Sequence, residues 1–440
     1  MKKLQIFTDP NPILREETEK VSTFDGEFQE LVDDMIYTMR SADGIGLAAP
    51  QIGIRKKIII VEYTTTEKNE DEFPLKVVVN PEIEISSDDQ EFMVEGCLSF
   101  PGKELYVRRP KKVIIKALDR WGKEYTIEDE KLLARVLQHE IDHLNGVLMI
   151  DHIKTLKTIF IGNGSLGIPA LEKMADDPQF KIISVYTSND QPAGRKGELK
   201  VTEVAEAAKK LQIPTSKIYD INSNEAIDNI KKLEPEIIIL SDFSQILSMK
   251  LIDLPKYGVL NIHPSLLPKY RGPSPIVSAI LAGEKKTGVT IIKLNEKIDA
   301  GDILSQLEIK IHPREAAERL KSRLAEFGAD LLAETVPYYI AGEIQPIVQK
   351  DEKSSITKKF IKSDGEILGD ETPEQIDRMV RALNPWPGVY AIQNGKRIFL
   401  TRTHLDNDKK LVIEKLKPEG KKEMGYKDFL AGNAKLTIGS

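Results

Sequence analysis

From Lys157 onward the chain alternates between short apolar, β-branched runs and polar-faced stretches long enough to be helices, and that alternation leaves few folds open. The runs TIFIG, KIISVYT, EIIIL, VLNI and GVTIIKL are almost continuously apolar, as strands covered on both faces must be. Helix-like stretches separate them, for example residues 201–211 and 225–233. Strands spaced by helices predict a parallel, doubly wound α/β sheet of the Rossmann-like kind. The GNGSLG turn after the first run could cradle a phosphate, although a plain strand-to-helix turn has the same composition.

Upstream of this pattern, the only cysteine, Cys97, lies about forty residues ahead of the string HEIDH, which places imidazoles at His139 and His143. Residues four apart on a helix project from one face, so both rings can reach one ion. Glu140, between them, can act on a water at the metal without being a ligand. The five-residue string alone also fits a solvated helix face. A lone thiol in EGCLS, a glutamine in GIGLAAPQ and only six histidines in the whole chain favour the metal.

GIGLAAPQ (residues 44–51), EGCLS (95–99) and QHEIDHLNG (138–146) occur in that order and resemble, without a gap, the three signatures of the peptide deformylase family. The resemblance covers residues 1 to about 152 and includes the opening segment DPNPILR. It implies an α+β fold and hydrolysis of a formyl amide, with Cys97, His139 and His143 as metal ligands. Glu140 would take a proton from water and return it to the leaving amine. Gln51 and the backbone N–H of Leu98 would donate to the oxyanion. Gly44 and Gly46 would let the backbone run close to the substrate. The family implies Fe2+ in the active form, with Ni2+ or Zn2+ able to occupy the site; the donor set by itself suits zinc. The implied substrates are N-formylmethionyl nascent peptides, met at the ribosome.

The second half has its own chemistry in NIHPSLLPKYRG, residues 261–272. Asn261 and His263 are two apart at a strand end, so an amide and an imidazole emerge on one face at the carboxyl edge of a parallel sheet, where such folds place ligands. Asp299, in KIDAGDIL, could hydrogen-bond the imidazole and set its tautomer. A lone histidine in an apolar strand is commonly structural, but the Asn-x-His pattern and the proline-bounded loop point to function.

This stretch resembles the formyltransferase family that takes its one-carbon unit from 10-formyltetrahydrofolate. The family's Asn, His and Asp fall on Asn261, His263 and Asp299, and its SLLP loop, a folate-binding element, on Ser265, Leu266, Leu267 and Pro268. By that likeness an amine attacks the formyl carbon while Asn261 and protonated His263 hold the oxyanion and Asp299 supports the ring. PAGRKGELK (192–200) is similar to the basic loop that meets the tRNA acceptor stem. ALNPWPG and the ending KPEGKKEMGYKDFLAG resemble the C-terminal domain of methionyl-tRNA formyltransferases, which implies initiator methionyl-tRNA as acceptor. Three stretches depart from the family pattern: SDFSQILS (241–248) puts Ser244 where a glycine is usual, GNGSLG replaces the usual opening loop, and VTEVAEAAKK follows the basic loop. Two other readings share the triad: a formyltransferase for a nucleotide-linked amino sugar, and an inactive tRNA- or folate-binding module.

Domain boundaries are expected at 1–153 for the metal hydrolase, 154–350 for the doubly wound domain and 351–440 for a small β-barrel of the OB-like type. No glycine, serine or proline linker separates VLMIDHI from TIFIGNG. Residues 1–152 hold 20 Lys+Arg against 30 Asp+Glu, a balance of −10, whereas residues 353–440 hold 17 against 12, a balance of +5. A basic end on an acidic protein is where a polyanion such as tRNA would bind. No apolar run is long enough to span a membrane, and no apolar h-region follows MKKLQIFTDPN. One cysteine rules out an internal disulfide framework, and a cytoplasmic location is expected.

Overall fold

The computed structural model describes residues 1–64, 71–193 and 198–431, together with 436. Arg195 and Lys196, two of the charges of the expected tRNA loop, fall outside them. The chain divides into two compact units, Met1–Lys154 and Thr155–Ser440.

In the first unit an antiparallel sheet runs in the order Gly46–Ala48, Ile58–Tyr63, Phe73–Ser86, Val113–Leu118 and Glu124–Asp129. Its apolar run of four residues is divided by the two-residue period of a strand. Ile58 and Ile60 join Val32, Met35 and Met39 of the helix Gly26–Arg40. Ile59 and Val61 join Leu133, Leu137 and Ile141 of the helix Leu132–Leu144. The sheet is thus covered on both faces, and the second helix is buried along most of its length. Lys131 provides no side-chain cap for that helix. Asp129 serves instead, accepting from the backbone N–H of Lys131 at 2.7 Å and of Ala134 at 3.2 Å. A separate ribbon pairs Gln90–Cys97 with Phe100–Pro110.

The second unit is built on a seven-stranded sheet ordered Thr215–Ile218, Phe180–Ser188, Leu156–Gly162, Ile237–Ser241, Val259–His263, Lys286–Lys293 and Asp302–Lys310. The first five strands are parallel, in the doubly wound order with a switch point between Leu156–Gly162 and Ile237–Ser241. GVTIIKL, read above with the parallel set, lies in an antiparallel strand that forms a hairpin with Asp302–Lys310. The run misled because burial on both faces makes a strand apolar whatever its direction: Thr287 to Ile292 are all buried.

After the long helix Ala317–Ile340, the helix Pro373–Leu383 begins at a capping box. Thr372 Oγ1 accepts from the Gln375 N–H at 3.2 Å, and Gln375 Oε1 accepts from the Thr372 N–H at 2.7 Å. The chain then forms an antiparallel sheet of Val389–Gln393, Lys396–Leu405, Leu411–Pro418 and Met424–Gly425. Its buried residues, such as Leu400 and Leu416, share one continuous core with the doubly wound sheet. Among the described residues, no helix is long and apolar enough to cross a membrane.

Candidate active sites

The helix Leu132–Leu144 places His139 and His143 one turn apart, and the end of the ribbon strand Gln90–Cys97 brings Cys97 to them. One ligand atom from each of the three lies within 4.8 Å of the others, with Cys97 Sγ 3.3 Å from His143 Nε2. This set fits a divalent cation. Burial would push the His139 imidazolium down, yet Cys97 and Glu95 carry it up to about 10. Burial also holds His143 well below the ordinary histidine range, which keeps its ring neutral, as ligation requires.

Glu140 is almost fully buried, and burial pushes its carboxyl up to about 7. Its Oε2 has no hydrogen-bond partner within the protein. A Cβ on Gly46 would overlap the Glu140 carboxylate, so only glycine leaves room for this side chain. Gln51, also buried, is fixed by the Ala48 N–H, which donates to its Oε1 at 2.8 Å. Its Nε2 points at Cys97 Sγ (3.6 Å) and Ser99 Oγ (3.2 Å). The Ser99 N–H reaches the same sulfur at 3.4 Å. Gln51 and the peptide of Leu98 therefore both border the thiolate.

Sequence reading missed the support behind these ligands. Glu95 accepts from His139 Nδ1 at 2.8 Å, from Arg109 Nε at 2.6 Å and Nη2 at 3.0 Å, and from Arg135 Nη1 at 3.0 Å. The bond to Nδ1 turns Nε2 of His139 toward the ligand cluster. Against the cost of burial, hydrogen bonds from His139 and Arg109 hold Glu95 well below the usual carboxylate range. Arg109 continues to Asp142 at 2.5 Å, and His152 Nε2 lies 2.7 Å from the same Oδ2. Glu95 was visible inside EGCLS; what was not visible is that two arginines converge on it.

In the second unit, Asn261 and His263 end the fifth parallel strand, both nearly buried. Asp299 meets them from the loop after Lys286–Lys293: Oδ1 accepts from Asn261 Nδ2 at 3.4 Å, and Oδ2 lies 3.6 Å from His263 Nδ1. The latter is longer than a hydrogen bond. What fixes the ring is Tyr270, whose carbonyl oxygen lies 2.9 Å from Nε2. A carbonyl only accepts, so Nε2 carries a proton and Nδ1 faces the carboxylate. Tyr270, rather than Asp299, therefore sets the tautomer. The Gly272 N–H donates to Asp299 Oδ2 at 2.7 Å and completes the carboxylate's seat.

These three side chains border a cleft of about 1090 Å³ at the carboxyl edge of the sheet. Ser244 lies on its wall without closing it, and Trp386 and Phe360 reach it from the C-terminal part. Asp242 sits where a Cβ of Gly164 would be and lies 3.5 Å from Lys321. The protein's own carboxylate therefore stands against the GNGSLG turn, and its negative charge disfavours a phosphate beside it. Ser265, Leu266, Leu267 and Pro268 brace the site from behind. Thr290 Oγ1 accepts from the Leu267 N–H at 3.2 Å and donates to the Ser265 carbonyl at 2.6 Å, while Ser265 Oγ donates to the Lys269 carbonyl at 2.8 Å. The cleft wall includes the neighbouring Pro264.

Three family models match the chain: polypeptide deformylase over residues 3–158, formyl transferase over 156–336 and formyl transferase, C-terminal domain, over 359–411. The methionyl-tRNA formyltransferase of Bacillus cytotoxicus is 34% identical over 310 residues, covering 64% of this chain and 98% of that protein. That of Halalkalibacterium halodurans is 36% identical over 312 residues, covering 65% and 98%. Among solved structures, a peptide deformylase from Legionella pneumophila is 44% identical, with a TM-score of 0.32, covering 34% of this chain and 85% of that one.

Proposed function

Since the chain belongs to the methionyl-tRNA formyltransferase family and carries a polypeptide deformylase domain ahead of it, we propose that its two sites perform opposite operations on one formyl group. It is a bifunctional enzyme of formylmethionine metabolism. The first site removes the formyl group from formylmethionyl peptides. The second transfers formyl from 10-formyltetrahydrofolate to the amino group of initiator methionyl-tRNA. The functional parts are residues 1–153, 154–350 and 351–440. In this reading the enzyme works in the cytoplasm and meets nascent chains at the ribosome.

For the hydrolase, the observation that carries the reading is the convergence of Cys97, His139 and His143 beside a buried Glu140. When bound there, a divalent cation supplies Lewis acidity that polarises the formyl carbonyl and makes water acidic enough to attack. A thiolate with two imidazoles accepts Fe2+, Zn2+ and Ni2+, and we assign Fe2+ as the working ion. Glu140, with its carboxyl near 7, accepts the water proton at neutral pH and returns it to the amine. The Gln51 amide and the Leu98 N–H donate to the oxyanion.

For the transferase, the amine of the acceptor attacks the formyl carbon of the folate. Asn261 Nδ2 and the His263 ring stabilise the oxygen that gains charge; Asp299 accepts from Asn261 and faces His263 Nδ1, while the Tyr270 carbonyl holds the ring. Leu267 and its neighbours support the folate site from behind the cleft wall, next to Pro264.

The test is to give wild-type enzyme methionyl-tRNA, 10-formyltetrahydrofolate and a formylmethionyl tripeptide together. Formylmethionyl-tRNA should accumulate and persist while the tripeptide loses its formyl group. Rapid loss of formyl from the tRNA product would overturn the assignment of separate substrates to the two sites.

A further inference from the structure

Residues 343–360 join the doubly wound sheet to the four-stranded sheet, yet they make most of their hydrogen bonds to the two loops that carry the formyl-transfer groups. Gln349, mostly buried, bridges those loops. Its Nε2 donates to the carbonyls of Asp299 (2.8 Å) and Gly301 (2.7 Å), and its Oε1 accepts from Arg271 Nε at 3.0 Å. The Arg271 backbone is laced to the same segment: its N–H donates to the Ser355 carbonyl at 2.8 Å, and its carbonyl accepts from the Thr357 N–H at 2.7 Å. The Tyr270 N–H donates to Ser355 Oγ at 2.8 Å.

The Arg271 loop meets the triad through the residues on either side of Arg271. Tyr270 holds His263 through its carbonyl, and the Gly272 N–H holds the Asp299 carboxylate. Asp299 itself lies at φ 47°, in the left-handed region that a residue with a side chain occupies only when its surroundings hold it there. Gln349 grips the carbonyl of that residue. The side chain does not reach the cleft, so it has no route to substrate.

We propose, resting on the transferase reading above, that Gln349 is a positioning residue for formyl transfer. It locks the Asp299 loop against the Arg271 loop, so that the carboxylate faces Asn261 and His263 before substrate arrives. The position requires two N–H donors and one acceptor on a single side chain, which only an amide supplies. A glutamate would set oxygens against two carbonyls, and a methionine would leave all three partners bare.

The experiment measures single-turnover formylation of methionyl-tRNA by wild type, Gln349→Glu, Gln349→Met, Asp299→Asn and the double variant Gln349→Glu/Asp299→Asn. Both Gln349 variants should lose about 10- to 100-fold in the chemical rate, the scale of a small displacement of a catalytic group, with KM for folate and tRNA nearly unchanged. The double variant should be no slower than Asp299→Asn alone, because the two residues act as one unit. Losses that multiply would show a merely structural role and overturn the proposal. So would full activity in both folded Gln349 variants. Gln349→Glu keeps its bond to Arg271 and carries the test if Gln349→Met unfolds. No product from wild type would overturn the transferase reading itself, and this role with it.

Discussion

Replacing Glu95 with glutamine should destabilise the first unit and loosen its metal together. Glu95 accepts four charge-assisted or imidazole hydrogen bonds, and all the residues that make them are more than nine-tenths buried. A glutamine of the same shape offers one oxygen and one NH2. Its NH2 must then face either an arginine or the His139 N–H, and no rotation satisfies all of them. Arg109 keeps Asp142, and Arg135 keeps the carbonyls of Val107 (3.0 Å) and Glu91 (2.9 Å), but a buried ion pair has lost its anion. Breaking such a pair costs about 3–5 kcal/mol. Losing the partner that orients a ligating histidine weakens metal affinity by about 10- to 100-fold. Urea unfolding of the metal-loaded protein would read the first effect, and competition with a chelator the second. Glu82→Gln is the control: its pair with Lys20 is two-thirds exposed, and its urea midpoint should match that of wild type. A Glu95→Gln loss below about 1 kcal/mol, with metal affinity within about threefold of wild type, would refute the reasoning.

Gly46→Ala should leave the fold intact and reduce deformylation by about 100-fold, because the new Cβ displaces the Glu140 carboxylate; kcat/KM on a formylmethionyl peptide reads this directly. Stripping the metal with a strong chelator should abolish deformylation and leave formylation untouched, and Fe2+, Ni2+ or Zn2+ should restore it to different extents. In metal-free protein, burial raises the Glu140 carboxyl from its ordinary value of 4.5 to about 7. The folded state therefore holds a proton that the unfolded state has released between those values, so this group's contribution to stability falls as pH rises through that window, by up to about 3 kcal/mol. Unfolding at several pH values should show this fall in wild type relative to Glu140→Gln; parallel profiles would contradict it.

Much of both sites was legible because their chemistry sits in short strings. HEIDH puts two imidazoles on one helix face by spacing alone, and NIH puts an amide and an imidazole on one strand face. Four of the five parallel strands were legible for a related reason, since a strand buried on both faces has to be apolar throughout; the edge strand Thr215–Ile218, partly exposed along its length, carries no such run. What escaped depends on residues that meet only in the fold. Arg109 and Arg135 are ordinary surface-type residues in sequence, and nothing local says they enclose Glu95. The grip of Tyr270 on His263 is made by a backbone carbonyl, which has no sequence signature. Gln349 lies among polar residues of a connecting segment, and its three hydrogen bonds span 48 to 78 positions of chain. The direction of GVTIIKL was hidden too, because an antiparallel strand buried on both faces is as apolar as a parallel one.

The central claim is that one chain holds two independent sites with opposite effects on a formyl group. The most direct test assays both reactions on the same preparations of wild type, Glu140→Ala and His263→Ala. Glu140→Ala should formylate methionyl-tRNA at the wild-type rate and fail to deformylate a formylmethionyl peptide, and His263→Ala should do the reverse. If either folded variant lost both reactions, or if His263→Ala still formylated methionyl-tRNA at the wild-type rate, the two-site account would be wrong.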